Sequence, residues 1–201
     1  LKVTAIFVGT AVPFELVFGV GIALLLNSLP KGRGIFQSLL LIPMVVPPIV
    51  VGLNWRLLYD PNYGIINYFF SVLGLPAQIW LSDPNWAIFA LIFVDIWQYT
   101  PFIALLTLAI LVTLPAEPYE AASLDGASYR VVFTKITLPL IKPGLVIVVM
   151  LRLIECFKDF AKVYTLTSGG PGVSTETLNF YVYLNGFEYY KLGYSSALSL
   201  V

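Results

Sequence analysis

The chain has 201 residues, 59% of them apolar and 11% charged, against about 25% charged in an average soluble domain; its mean hydropathy is +0.89. Eleven basic residues balance eleven acidic ones and His is absent, which excludes a basic nucleic-acid footprint. With a single cysteine, Cys156, the composition also excludes an internal disulfide, a Cys/His zinc cluster and a His-based catalytic triad. Composition points to a membrane protein.

A first apolar run, about Val3–Leu26, is long enough to span a bilayer, which takes about 20 helical residues. Pro13 and Glu15 are expected to interrupt it. It is no signal peptide, being too long, carrying Glu15 and lacking a small-residue cleavage site. The chain opens on Leu1, not Met, and Tyr194–Val201 is apolar but too short to cross, so the sequence reads as the middle of a longer chain, cut at both ends. A polar link, Asn27–Gly34, leads to a second run, about Ile35–Leu58. Pro43, Pro47 and Pro48 predict a kink or break there. Tyr59–Pro84 reads as a linker whose Trp80 and Trp86 suit the membrane–water interface. The third span, about Asn85–Val112, holds Asp95 and Pro101. A more polar stretch, Thr113–Lys135, precedes a fourth span, about Leu138–Phe157, with Arg152 and Glu155 inside it. Lys158–Lys191 is mixed, with a tight turn at Ser168–Gly172, and a last apolar stretch begins near Gly193. The apolar runs are continuous rather than alternating, so helices, not a barrel, satisfy the backbone in lipid. The predicted fold class is all-α, a polytopic transmembrane helical bundle.

Basic residues set the orientation. Lys31 and Arg33 lie in one short loop, and Arg130, Lys135 and nearby Lys142 in or beside another, whereas the Tyr59–Pro84 loop has Asp60 and Asp83 and no Lys or Arg. The excess of positive charge in cytoplasmic loops places the two basic segments inside. Lys158–Lys191 then falls outside, despite Lys158, Lys162 and Lys191.

The inner segment Leu114–Arg130 carries helix punctuation. Glu117-Pro118 is a start signal, and Glu117 and Glu120 suit the positive end of a helix dipole. Gly126 stops the helix because it adopts a left-handed conformation cheaply. Ala121 and Ala122 give a low profile that permits close approach. Tyr129, Val132, Phe133 and Ile136 then share one helical face. A short helix, a glycine corner and a second helix make a protruding elbow.

Charges inside spans are costly, at about 2.5–3.5 kcal/mol each on insertion scales. Asp95, Gln98 and Tyr99 share a helical face beside Trp97. Carboxylate, amide and aromatic ring together suit a polyhydroxylated ligand; interhelical hydrogen bonding explains them equally well. Arg152 and Glu155, three residues apart, are expected to neutralise each other as a structural pair or gate contact. Glu15 reads as structural, Asn54 as a pathway candidate, and Cys156 as a small buried residue. Pro43, Pro47, Pro48 and Pro101 read as packing kinks, though broken helices do build transporter sites. Thr175–Lys191, rich in Tyr and Phe, is expected on the outer membrane face.

Glu120-Ala121-Ala122, three residues, Gly126, nine residues, then Ile136-Thr137-Leu138-Pro139 resembles, at every position, the EAA signature of ABC importer permease subunits. Asn27, Gly32-Arg33, Pro101-Phe102 and Thr167-Ser168-Gly169-Gly170-Pro171 are similar to the carbohydrate-uptake branch, the maltose-type and glycerol-phosphate-type permeases. Ser168 departs from the branch's usual Thr-Gly-Gly-Gly-Pro turn. The resemblance implies a MetI-like bundle in which residues 1–201 are one permease domain and 113–138 a cytoplasmic coupling loop. It implies ATPase coupling through Glu120, Ala121, Ala122, Gly126, Ile136, Leu138 and Pro139. Asn54, Asp95, Gln98, Tyr99, Arg152 and Glu155 are the candidate substrate pathway, and no metal site is expected. The implied partners are ATP-binding subunits, a second and different permease subunit, an extracytoplasmic solute-binding protein and the bilayer, in a bacterial or archaeal plasma membrane. No nucleic acid is expected. The chain has no GxxxxGK[ST] phosphate loop, so ATP and Mg would be used by the partner, with no cofactor bound here and no catalysis of its own. A self-contained secondary transporter or channel is the alternative. An inverted repeat or an acidic proton relay would favour it, and neither stands out. A membrane enzyme has no catalytic constellation to rest on.

Overall fold

The structure, a computed structural model, describes residues 1–29 and 31–200; Pro30 of the polar link and Val201 of the last apolar stretch lie outside the described residues. Helices account for every regular element, with no strand among the described residues.

Helix α1 (Lys2–Ser28) runs unbroken through Pro13 and Glu15, contrary to expectation. Proline there removes one backbone donor, but α1 packs along the longest helix of the bundle, α5 (Pro84–Val112), and that contact holds it together. Gly19 makes the approach possible: a Cβ there would lie 2.7 Å from Ile103 Cγ2. Small residues at helix interfaces let membrane helices pack closely. Asp83 caps α5, its carboxylate accepting from the N–H of Asn85 at 2.8 Å.

The proline-rich run breaks as predicted. Helices α2 (Arg33–Val45) and α3 (Pro48–Leu58) meet at 90°. Val46 precedes Pro47 and is extended, with φ −67° and ψ 127°, the conformation a following proline enforces. Gln98 of α5 donates to the Val46 carbonyl at 3.1 Å, satisfying an acceptor the helix end leaves open.

Within the expected linker lies a helix, α4 (Ile65–Val72). Its C-terminus closes on Gly74, at φ +71°, with the N–H of Leu75 donating to Phe70 at 2.9 Å. Trp80 is buried rather than interfacial: its Nε1 donates to Asn67 at 2.8 Å, and its ring meets Phe70, Trp86 and Tyr59. A tryptophan needs a partner for its N–H when buried, and Asn67 provides it. Trp86 stays partly exposed, as an interface residue would.

Past α5 come α6 (Glu117–Leu124), α7 (Tyr129–Val132) and a π-helical turn, Phe133–Thr137, that flows into α8 (Leu138–Phe157). Gly144 seats α8 against Ile110 of α5, with 2.6 Å between a Cβ there and Ile110 Cδ1. The chain then turns into α9 (Ala161–Leu166), which packs mainly on α3. The remaining elements are α10 (Leu178–Tyr183), a second π turn at Leu184–Glu188, and α11 (Leu192–Leu198). The N–H of Leu178 donates to Thr4 Oγ1 at 2.8 Å, fixing α10 at the N-terminal end of α1.

Among the described residues α1 and α5 are long and apolar enough to cross a membrane, and the bent α2–α3 pair makes a third if it counts as one span. The expected fourth span folds as one helix, α8, but with Lys142, Arg152 and Glu155 it is not among the helices apolar enough to cross.

Candidate functional site

Four helices converge on a buried ionic chain. Glu15 comes from the middle of α1, Asp95 from α5, Arg152 from the last turns of α8, and Lys162 from α9. At about 1.5 Å rise per residue, the group lies roughly 20–25 Å from the ends of α1, α5 and α8 nearest the elbow. Arg152 grips Glu15 with both limbs of its fork, Nε to Oε2 at 2.7 Å and Nη2 to Oε1 at 2.9 Å. The same Nη2 reaches one oxygen of Asp95, and the Lys162 ammonium takes the other. Lys162 also lies 3.1 Å from Asp159, in the turn between α8 and α9. None of the four main partners exceeds 1% exposure. The Tyr99 ring lies under both cations, 4.1 Å from the guanidinium carbon and 4.4 Å from the ammonium. Cations over an aromatic face gain a further attraction when desolvated. Breaking such a buried set from one side costs about 3–5 kcal/mol, because it strands a charge.

This overturns the expected pairing of Arg152 with Glu155. Glu155 is exposed, while Arg152 points to α1 and α5. Two carboxylates there offer the planar fork a bidentate seat that a helical neighbour cannot match.

Asp95, Gln98 and Tyr99 do share an inward face: Asp95 meets the two cations and the Gln98 amide nitrogen the Val46 carbonyl, while Gln98 Oε1 is buried with no partner. In this conformation interhelical bonding accounts for Asp95 and for the Gln98 amide nitrogen. Asn54 is exposed and, with Trp55, Val51, Leu58 and Trp97, lines a groove of about 340 Å³ between α3 and α5. Lys162, expected outside with Lys158–Lys191, is instead buried within the bundle, and Asp159 beside it had no role foreseen from sequence. Their one signal was a Lys within a largely apolar hexapeptide, Ala161–Leu166, three residues after an Asp.

The elbow folds as its punctuation predicts. Pro118 falls in the first turn of α6, with Glu117 and Glu120 at its positive end. Gly126 is left-handed at φ +65°, and the N–H of Ala127 closes back on Ala122 at 2.9 Å. Ala122 is buried, at 8% exposure, while Glu120, Ala121, Ser123 and Leu124 are exposed. Leu124 is 90% exposed. The predicted stripe begins at Val132, since Tyr129 stands out at 75% exposure; the π turn, with its wider spacing, rotates the residues after it. Tyr119 donates to Thr137 Oγ1 at 3.2 Å, tying α6 to the head of α8. Ile136 is half-buried there, and Leu138 and Pro139 are exposed.

Comparison with known proteins follows this geometry. Residues 15–200 match the family model described as binding-protein-dependent transport system inner membrane component. The trehalose/maltose transport system permease protein MalF of Thermococcus litoralis is 42% identical over 202 residues, covering 99% of this chain and 67% of that one. The sulfoquinovosyl glycerol transport system permease protein SmoG of Agrobacterium fabrum is 40% identical over 190 residues, covering 94% of this chain and 62% of that protein. The chain thus spans about two thirds of the length of these relatives. In three dimensions it is similar to a chain of the bacterial alginate ABC transporter solved with an alginate pentasaccharide-bound periplasmic protein. There the TM-score is 0.90 at 23% identity, over 100% of this chain and 70% of that chain. The signature, the fold and the family model agree: the chain belongs to the family of binding-protein-dependent transport system inner membrane components.

Proposed function

We propose that this chain is the membrane-spanning permease subunit of an ATP-driven importer, moving a sugar, oligosaccharide or polyol phosphate into the cytoplasm by alternating access. The observation that carries the reading is the EAA signature folded as an elbow, a short helix stopped by left-handed Gly126 with Leu124 90% exposed at its tip. A single exposed leucine is ordinary by itself; its weight here comes from its place within the EAA signature. ATP-binding subunits, using ATP and Mg, would take Glu120, Ala121 and Leu124 into a groove. Gly126 sets the corner and Ala122 packs beneath. Ile136, Leu138 and Pro139 join the knuckle to α8. Closure of the ATPases would drag the elbow, and the Tyr119–Thr137 bond and the π turn would hand that movement to α8. ATP must bind the two access states differently for this to work.

The solute class rests on the relatives, whose names specify trehalose/maltose and sulfoquinovosyl glycerol, and on the groove where the Asn54 amide adjoins the Trp55 and Trp97 rings. Asp95, Gln98 and Arg152, buried on protein partners beside Tyr99, would support the pathway from behind rather than line it, and exposed Glu155 does not join them. A second, different permease subunit would close the pathway, and a solute-binding protein would dock outside. The chain would be one multi-pass permease domain over residues 1–201, with 113–138 as its coupling loop, in a bacterial or archaeal plasma membrane.

The test is co-purification from native membranes, then ATPase measurement across a panel of disaccharides, oligosaccharides and polyol phosphates. The reading predicts bound ATPase subunits and stimulation by a panel member. An intact complex that moves solute with no ATPase present would instead identify a self-contained transporter.

A further inference from the structure

We infer that the hollow bounded by α1, α3, α4 and α5 holds one hydrocarbon chain of a bilayer lipid, from the leaflet on the side of the bundle away from the elbow. The site needs only that the protein sits in a membrane, and it is independent of which solute is carried.

The hollow measures about 670 Å³. No charged or amide side chain lines it. Its walls are mostly aromatic, with Phe14 and Phe18 from α1, Trp55 from α3, Phe70 from α4 and Phe93 from α5. Two of its polar-headed rings are already spent on protein: Tyr59 donates to the Ala90 carbonyl at 3.3 Å, and Trp80 to Asn67 at 2.8 Å. A sugar needs several convergent hydrogen-bonding groups, and this lining does not supply them. A lipid tail needs none.

Depth fits the same occupant. Along α5 the wall runs from Trp86 to Ile96, which is about 15 Å of helix. Half of a hydrocarbon core of about 30 Å is the depth of one leaflet. Trp86, in the first turn of α5, is partly exposed at the interface end, where an amphipathic ring belongs. The hollow is continuous with the outside of α1 and α5, the two helices long and apolar enough to cross a membrane. There Phe14, Phe18, Phe89 and Phe93 are all exposed, so a tail enters sideways from the bilayer with no polar barrier to pass.

Helix α4 roofs the hollow and shows which medium surrounds it. Ile66 and Phe70 line the hollow, while Ile65, Tyr68, Phe69 and Val72, at i, i+3, i+4 and i+7, form an exposed apolar stripe. No charged residue occurs from 65 to 82. A soluble protein that docks and leaves would return this stripe to water on every cycle. The boundary between headgroups and acyl chains covers it continuously. Trp80 meets Phe70 on one side and Trp86 on the other, with ring centroids 5.0 and 5.1 Å apart, and this holds α4 at the level of the interface.

The experiment places the assembled transporter, with its other subunits, in phosphatidylcholine vesicles containing a phosphatidylcholine that carries a diazirine at mid-chain. After irradiation the adducts on this chain are mapped residue by residue. A seated tail predicts adducts at Ala90 and Ile92, buried side chains that line the hollow. It also predicts them at Val17, which is exposed on α1 and lies off the hollow. Filling the hollow with Ile66→Trp and Ile96→Trp, both partly exposed positions of its wall, should abolish the adducts at Ala90 and Ile92 and spare Val17. Adducts at Val17 with none at Ala90 and Ile92 in the unmodified protein overturn the proposal, whether or not the filled variant folds. An assembled complex in which Phe89 and Phe93 are bare as well overturns it too, because another subunit then covers this face. Adducts at Ala90 and Ile92 that persist in a folded, filled variant also count against it.

Discussion

Arg152 and Glu15, 137 positions apart in sequence, meet through two parallel hydrogen bonds of 2.7 and 2.9 Å in the interior of the bundle. This contact fixes the register of the first long helix against the last. It also places the guanidinium where it can share Asp95 with Lys162.

Arg152→Met should therefore be more damaging than Glu15→Gln. The first strands Glu15 and leaves Asp95 with Lys162 alone, whereas the second leaves Arg152 a remaining carboxylate. Thermal melting of the purified protein in detergent should show Arg152→Met losing about 3–5 kcal/mol. Equal losses for the two variants would show that Asp95 does not support Arg152.

Three helix glycines should separate by what surrounds them. Gly52→Ala meets Thr165 Oγ1, and Gly19→Ala meets Ile103; each should cost about 1–3 kcal/mol as overpacking. Gly21, in the same helix as Gly19, has nothing within 4 Å of a Cβ. Gly21→Ala should be neutral or stabilise by about 0.5–1 kcal/mol, the usual gain of alanine over glycine inside a helix. Melting temperatures of the three variants decide the matter.

At the elbow, Gly126→Pro should abolish uptake while membrane insertion and yield stay normal. Proline cannot adopt the φ of +65° found there. Glu120→Lys, which reverses an exposed charge at the positive end of α6, should act alike. Uptake assays paired with membrane fractionation check both; normal uptake in either variant counts against coupling through this loop.

The loop after α3 carries a pH signature. The N–H groups of Tyr63 and Asn62 donate to Asp60, each at 2.9 Å, and hold its carboxyl below the ordinary value of 3.8. A depressed carboxyl favours the folded loop above its ordinary pKa, and that contribution disappears as pH falls through the lowered value. Hydrogen exchange at the Asn62 and Tyr63 amides should show steady protection above the ordinary value and loss only below it. Asp60→Ala should remove the protection at every pH.

Local signals in the sequence carried far. Pro47-Pro48 foretold a break, which the structure shows as a 90° corner, and Glu117-Pro118 with Gly126 foretold α6 and its end, because each acts on its own backbone. Pro13 failed as a breaker because contact with a distant helix outweighed one missing hydrogen bond. Trp80 was misplaced because its partner, Asn67, belongs to a helix too short to show periodicity. The ionic chain was half legible: Asp95 and Arg152 stood out as charges in apolar runs, but three-residue spacing favoured Glu155 over Glu15. Only folding reveals that a carboxylate from the far end of the chain is the closer one. Lys162 lay hidden because it sits outside every continuous apolar run.

The central claim is that the Glu117–Gly126 knuckle faces the cytoplasm and is gripped there by separate ATPase subunits. Leu124→Cys tests it, since this position is 90% exposed. In inside-out vesicles stripped of ATPase, a membrane-impermeant maleimide should label it rapidly, and adding back the ATPase subunits should block labelling. Rapid labelling from the outside of intact cells, or labelling undiminished by bound ATPase, would contradict the account.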